Sequence, residues 1–283
     1  MTTSPPWSRT TSGHGCNGRQ RRSARGTVMA RLVVHQIAVL SDNYIYLAHE
    51  PESGATAVID PALAAPVLAV LAAKGWRLTH ILNTHHHGDH TGGNLELKAA
   101  TGAQVVGARK DALRIPGIDI EVGEGESFLL GHAAAMVMET PGHTSGHIAF
   151  WFPDSHALFC GDTLFSLGCG RMFEGTPTEM WHSLARLRDL PGDTLVYCAH
   201  EYTAGNGRFA RLVERDNPAM LARVDEVARL AGRPSVPSTL TQERAANPFL
   251  RADVPAVARA VGMDAGTDPI LVFAELRRRK DVF

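Results

Sequence analysis

The stretch Thr84-His85-His86-His87-Gly88-Asp89-His90 constrains this chain more than any other. It packs four side chains able to hold a metal, His85, His87, Asp89 and His90, into positions 85–90. On an extended backbone, residues two apart project to one side, so His85 and His87 face a common point. The Asp-His step that follows allows a second cation beside the first. Imidazole suits a borderline ion such as zinc, and a carboxylate can bridge two ions. A single histidine is usually a surface or packing residue; a cluster this dense is a ligand set. His86, between two ligand candidates, is expected to face away.

Such a motif needs a scaffold that aims it. Short apolar runs of β type cover 32–40, 44–49 and 56–60, a helix-like segment spans 66–75, and a strand at 80–83 stops at the histidines. Next come a helix at 93–101, a strand at 103–107, and strands at 127–130, 135–139, 147–152 and 157–160. Residues 177–190 read as helix and 194–198 as a strand ending near His200. Leu, Ala and Val then recur with helical period over 209–230 and 254–261. This order predicts an α/β core with a helical C-terminal appendage. No internal repeat is apparent.

Later strand ends supply further donors. Gly142 in Pro141-Gly142-His143 allows a turn that brings His143 inward. Phe159-Cys160-Gly161-Asp162 puts an acid directly after a strand, and Cys198-Ala199-His200-Glu201-Tyr202 does so with a histidine. Alone, each is weak, because an isolated strand-end Asp or His is more often a turn or cap residue. With the cluster they make seven donors, about what two zinc sites sharing one carboxylate and a water require. Asp60, before Pro61, is either a support for a ligand histidine or a turn former. His147 is likewise a donor behind the site or a packing residue.

Composition narrows the partners. The 283 residues suffice for a sizeable core, and 44% hydrophobic with 20% charged residues is ordinary for a soluble protein. A net charge of −1 gives no field for nucleic acid or an anionic membrane. The longest apolar run, 66–73, is too short to span a bilayer. Cys16, Cys160, Cys169 and Cys198 show no disulfide rhythm and no CxxC pair, so they are expected to be reduced, in a cytoplasmic protein, with Cys160 and Cys198 packing. Residues 1–30 carry five arginines and no acid. They are expected to be a disordered tail, a misassigned start ahead of Met29, or an organelle transit peptide. The expected division is an extension at 1–29, a core domain at 30–203 and a helical domain at 204–283.

Six segments together resemble one family: THHHGDHTGGN at 84–94, PGHTSGH at 141–147, GDTLFSLGCGRMFEG at 161–175, HEYT at 200–203, NPFLR at 247–251 and RRRKD at 277–281. The chain after Met29 resembles the metallo-β-lactamase superfamily and, more closely, the glyoxalase II (hydroxyacylglutathione hydrolase) family. The first two segments and the Gly161-Asp162 pair are superfamily-wide; GCGRMFEG, HEYT and RRRKD select glyoxalase II. The resemblance implies an αββα sandwich with a C-terminal helical substrate-binding domain. It implies one metal held by His85, His87 and His143, a second by Asp89, His90 and His200, and Asp162 bridging. It places Arg171, Phe173, Tyr202, Arg277 and Lys280 against substrate. Phe173 stands where many members have Tyr, so a phenolic hydrogen bond is absent there. Arg278 and Arg279 are expected at the surface.

The implied activity is hydrolysis of S-(2-hydroxyacyl)glutathione, such as S-D-lactoylglutathione, in methylglyoxal detoxification. The implied cofactor is two Zn2+, with Fe or Mn as alternatives in either site. Elementary chemistry agrees: zinc lowers the pKa of bound water to roughly 7, and one ion can stabilise the developing oxyanion. A thiolate leaves readily, so no catalytic side chain beyond a metal-held hydroxide is required, and the chain shows no GxSxG or Cys–His alternative. The expected partner is a small glutathione thioester, with no nucleic acid or membrane, and a monomer. Alternatives are a persulfide dioxygenase using one iron, a β-lactamase, a thioesterase on non-glutathione substrates, and a non-enzymatic metal binder on the same scaffold.

Overall fold

The computed structural model describes residues 31–283; the expected N-terminal extension and Cys16 lie outside the described residues. The chain begins with β1 (Val33–Val39), β2 (Asn43–His49) and β3 (Ala55–Ile59), then α1 (Ala64–Lys74) and β4 (Arg77–Leu82). A short α2 (Gly88–Thr91), α3 (Asn94–Thr101), β5 (Gln104–Ala108) and β6 (Ile118–Val122) complete a first sheet of order β1-β2-β3-β4-β5-β6. Its first pairings are antiparallel, and β3 to β6 pair in parallel. Parallel neighbours need crossovers, which α1 and α3 supply.

Alternation along β2 shows how this sheet is filled. Tyr44, Tyr46 and Ala48 enter the core that also holds Phe150 and Phe159, whereas Ile45 and Leu47 pack with Val67 and Leu71 of α1 and Leu97 of α3. Both faces are covered, so β2 is apolar almost throughout. Burying each large side chain contributes about 1.5–3 kcal/mol.

The second sheet comprises β7 (Ser127–Leu130), β8 (Ala133–Glu139), β9 (Ile148–Phe152) and β10 (Ala157–Gly161), then the hairpin β11 (Leu164–Phe165) and β12 (Gly168–Cys169) as a separate pair. After α4 (Pro177–Arg188) comes β13 (Leu195–Cys198). The helical segment holds α5 (Thr203–Val213), α6 (Pro218–Arg229), β14 (Ser238–Thr239), α7 (Leu240–Ala246), α8 (Pro255–Ala260) and α9 (Pro269–Asp281). Sheet order is β14-β13-β10-β9-β8-β7, so the C-terminal segment donates an edge strand to the sandwich. The sheets and helices form the αββα arrangement. One apolar cluster runs from Phe150 between the sheets to Phe249, Phe273 and Leu276 in the C-terminal helices.

The continuous helical pattern over 209–230 is broken in two. Pro218 lacks the N–H needed to extend a helix, and Asn217 caps α6 by accepting from the backbone N–H groups of Ala219 and Met220. The strand β6 and the helix α9 are additions to the sequence reading. Among the described residues no helix is long and apolar enough to cross a membrane.

Candidate metal centre

Chain exits from both sheets converge on one edge of the sandwich. Beyond β4 the backbone bends at Thr84 and His85, and α2 starts after His87. Asn83, wholly buried, donates to the His90 carbonyl at 3.0 Å and accepts from Asn94, which fixes that segment against α2 and α3. His85, His90, His143 and His200 are buried, as is Asp162; Asp89 is half-buried.

All seven predicted donors meet here in two groups. His87 Nδ1 lies 3.0 Å from His85 Nε2 and 3.1 Å from His143 Nε2. Asp89, His90 and His200 form the other group: His90 Nε2 and His200 Nε2 lie 3.6 and 3.5 Å from Asp89 Oδ2. Asp162 stands between them. Its Oδ2 is 3.4 Å from His143 Nε2, while its Oδ1 is 3.4 Å from His200 Nε2 and 3.6 Å from His90 Nε2.

The donors fit divalent cations. Nε2 of His90 and Oδ1 of Asp162 are buried without a hydrogen-bond partner, an arrangement that is costly unless something binds there. Burial and neighbouring histidines push His85, His87 and His143 below the usual imidazole range, towards the neutral form that ligates. Burial also opposes charge on His90, but Asp162, Asp60 and Asp89 outweigh it and hold its pKa at about 9. In the absence of a cation, protons would therefore gather in the second group.

A further ring of contacts orients the donors. His143 Nδ1 donates to the Arg171 carbonyl at 2.8 Å. His85 Nδ1 meets the Thr84 hydroxyl at 3.1 Å, and that hydroxyl donates to Asp60 Oδ2. Asp60 also accepts from Thr84 N and lies 3.2 Å from His90 Nδ1, so it is both a positive-φ turn residue and a support. His147 Nε2 accepts from the Asp162 backbone N–H and its Nδ1 faces Thr140, so it braces the bridging acid from behind. His86 turns away, towards Asp111 at 3.0 Å. Gly142 takes φ +147°, and a Cβ there would approach Met180 to 2.8 Å.

Three supporting residues escaped the sequence reading. Asp42 accepts from His200 Nδ1 at 2.8 Å, Asn43 donates to Asp89 Oδ2 at 3.0 Å, and Glu201 accepts from Tyr44 Oη and Ser235. Asp42-Asn43 carries the signal of a turn, and nothing local shows that this turn closes on His200.

A cavity of about 590 Å³ opens from the donors, with Phe173, Tyr202, Arg171 and Lys280 on its walls. The exposed Phe173 ring lies edge-on to His143 and His87, at 5.2 and 5.8 Å. Tyr202 stacks on His200 at 4.8 Å. Arg277 also borders the cavity but is only 3% exposed. Its guanidinium donates to the Cys169 carbonyl and to Asp281, over the Phe249 ring. The ammonium of Lys280 sits over the Phe209 and Phe283 rings. Arg278 is largely exposed and Arg279 partly so; both are paired with Glu275.

Residues 40–200 match the family model described as metallo-beta-lactamase superfamily, and 201–283 match hydroxyacylglutathione hydrolase C-terminus. The hydroxyacylglutathione hydrolase of Methylococcus capsulatus is 60% identical over 254 residues, 89% of this chain and 99% of that protein. The chain belongs to the metallo-β-lactamase superfamily, in its hydroxyacylglutathione hydrolase family. A relative of the same name from Rhodospirillum rubrum is 58% identical over 90% of this chain and all of its own length. Among solved structures, that of ETHE1 from Myxococcus xanthus superposes with a TM-score of 0.64 at 26% identity, covering 87% of this chain and 90% of that one.

For a member of the hydroxyacylglutathione hydrolase family, the cavity thiol matters by what it lacks. Cys169 lies beside the donors, yet burial pushes its thiol up to about 11. It stays protonated near neutrality, when the thiolate would be the nucleophile.

Proposed function

We propose that this protein hydrolyses S-(2-hydroxyacyl)glutathione, such as S-D-lactoylglutathione, to glutathione and a 2-hydroxy acid, serving methylglyoxal detoxification. The carrying observation is one cavity lined by five of the seven convergent metal donors, His87, Asp89, His143, Asp162 and His200, and by the cations Arg171 and Lys280. Relatives bearing the name hydroxyacylglutathione hydrolase, matched over nearly their whole length, support the substrate class. Another thioester or a persulfide as substrate has less support, since the C-terminal match covers residues 201–283.

In this reading His85, His87 and His143 hold one cation, Asp89, His90 and His200 hold another, and Asp162 is shared. Two Zn2+ are proposed, with Fe or Mn as alternatives. When bound, the ions supply Lewis acidity that acidifies water and polarises the thioester carbonyl. The chain's own contribution is placement. Asp162 fixes the spacing of the two groups, and His147 fixes Asp162. Tyr202 is held above the ordinary phenol range by burial and by Asp42, Asp162 and Asp89, so it remains a neutral hydroxyl donor beside the reacting end. Phe173 covers the His87–His143 side and keeps bulk water off it. Arg171 and Lys280 are proposed to hold glutathione carboxylates, Arg by bidentate pairing. Arg277, with its donors occupied, is proposed to shape the wall that Cys169 and Lys280 complete.

The same reading divides the chain into a catalytic domain at 30–203 and a glutathione-binding domain at 204–283. The test is a thioesterase assay of purified protein on S-D-lactoylglutathione, before and after verified metal stripping and after zinc is returned. Activity that disappears and returns is expected. Undiminished turnover by the stripped protein would sink the mechanism.

A further inference from the structure

The two donor groups differ in what stands behind them. In the second group, His200 Nδ1 donates to the Asp42 carboxylate at 2.8 Å, and His90 Nδ1 lies 3.2 Å from the Asp60 carboxylate. Asp89 adds a carboxylate of its own, oriented by Asn43. In the first group, His143 is backed by the Arg171 carbonyl, and His85 reaches Asp60 only through the Thr84 hydroxyl. Apart from the shared Asp162, the first group has no carboxylate among its donors.

This arrangement has a defined physical effect. A carboxylate that accepts one imidazole N–H makes the opposite nitrogen a stronger donor and fixes its direction. Losing such a partner typically costs 10- to 100-fold in metal affinity. Asp42 owes its position to backbone zipping: Tyr44 N donates to the Ala199 carbonyl at 2.7 Å and Glu201 N to the Asp42 carbonyl at 2.8 Å. The turn between β1 and β2 is thus pinned to the end of β13, with the carboxylate against His200.

Resting on the dinuclear reading above, we propose that Asp42 makes the Asp89–His90–His200 site the tighter of the two, so that it fills first and empties last. Asp42 is the residue to change, because its side chain is a third exposed whereas Asp60 is buried and holds Thr84. Asp42→Asn keeps the shape and removes the charge.

The experiment equilibrates metal-loaded, full-length protein against a chelator-buffered series of free Zn2+ and counts zinc per chain by elemental analysis. Wild type should release its ions in two steps. In Asp42→Asn the last-leaving ion should depart at a free Zn2+ concentration roughly tenfold or more higher, with the first-leaving step unchanged. His143→Ala, which takes a donor from the other site, should abolish the first-leaving step and keep the last. A shift confined to the first-leaving ion in Asp42→Asn, no shift at all, or loss of the last-leaving ion in His143→Ala would overturn the proposal. His143→Ala decides which site is the tighter, and Asp42→Asn decides whether Asp42 is the cause; should Asp42→Asn misfold, Asp42→Ser, which also removes the carboxylate, reads the same shift. Wild-type protein that never holds two ions would instead bring down the dinuclear reading, and this inference with it.

Discussion

In the proposed function the cavity has a donor end and a basic end, and the two are built by opposite means. At the donor end, His85, His90, His143, His200 and Asp162 are buried, and their orientation is set by residues behind them. At the basic end, Arg171 sits on a loop with its side chain largely exposed, and Lys280 projects from the last helix over two rings. Bond making tolerates little misplacement, so its groups are locked before substrate arrives. Recognition of a distant charge tolerates more, and an exposed cation on a long stem can follow its ligand. Damage at the two ends should therefore register in different kinetic constants.

The sharpest way to break that contrast is at the donor end. His90→Ala should lower kcat by more than about 100-fold, since even residues behind metal ligands cost 10- to 100-fold in affinity or activity. Steady-state kinetics with metal counting checks this; a variant changed only in KM would erase the distinction. Next, Arg277→Ala and Lys280→Ala should part company although they are three residues apart in one basic run. Arg277 is buried and bonded, so its loss should cost about 2 kcal/mol of stability, read as a lower denaturation midpoint. Lys280→Ala should leave stability nearly intact and raise KM roughly fivefold, the equivalent of about 1 kcal/mol for a solvent-screened charge contact. Equal behaviour of the two would mean that the basic end is one unit.

The smallest effect tests the join between the ends. Glu174, beside Phe173, accepts from Arg114 and from the backbone and hydroxyl of Ser145, and these bonds, with Arg114 first, lower its pKa to about 2. A carboxyl depressed on folding adds stability that is full above its unfolded value near 4.5 and fades as pH falls through about 2. Glu174→Gln should thus be less stable by about 1 kcal/mol at pH 7, allowing for solvent screening, with the deficit shrinking between pH 4.5 and 2. Denaturant melts across that range measure it. A deficit that ignores pH would assign the loss to packing.

How much of this was legible depended on whether the cause was local. The α/β class followed from short strands alternating with helical segments, and the donor cluster was visible because its spacing concentrates one chemistry. Asp162 and His200 were legible only as polar residues at strand ends, given meaning by the cluster and the family resemblance. Asp42 was not, because an acid in a turn already has a sufficient local reason, and its partner is supplied by the pairing of distant backbone. Nor was the burial of Arg277 legible. A run of four basic residues looks like a solvated face, and only the packing of α9 on Phe249 selects which one turns inward. The break after α5 is written in Asn217-Pro218, but the apolar period runs on across it and masks it.

The zipper between the β1–β2 turn and the exit of β13 also bears on how the molecule matures. During synthesis the histidine-rich loop, His143 and Asp162 leave the ribosome before His200, so the Asp89–His90–His200 group is the later of the two to be completed. Its completion requires the short strand β13 in place beside β10, with the opening hairpin bonded to its exit. An ion held at that group, as proposed, would act as a latch on an assembled sandwich, its binding energy added to the folded state alone.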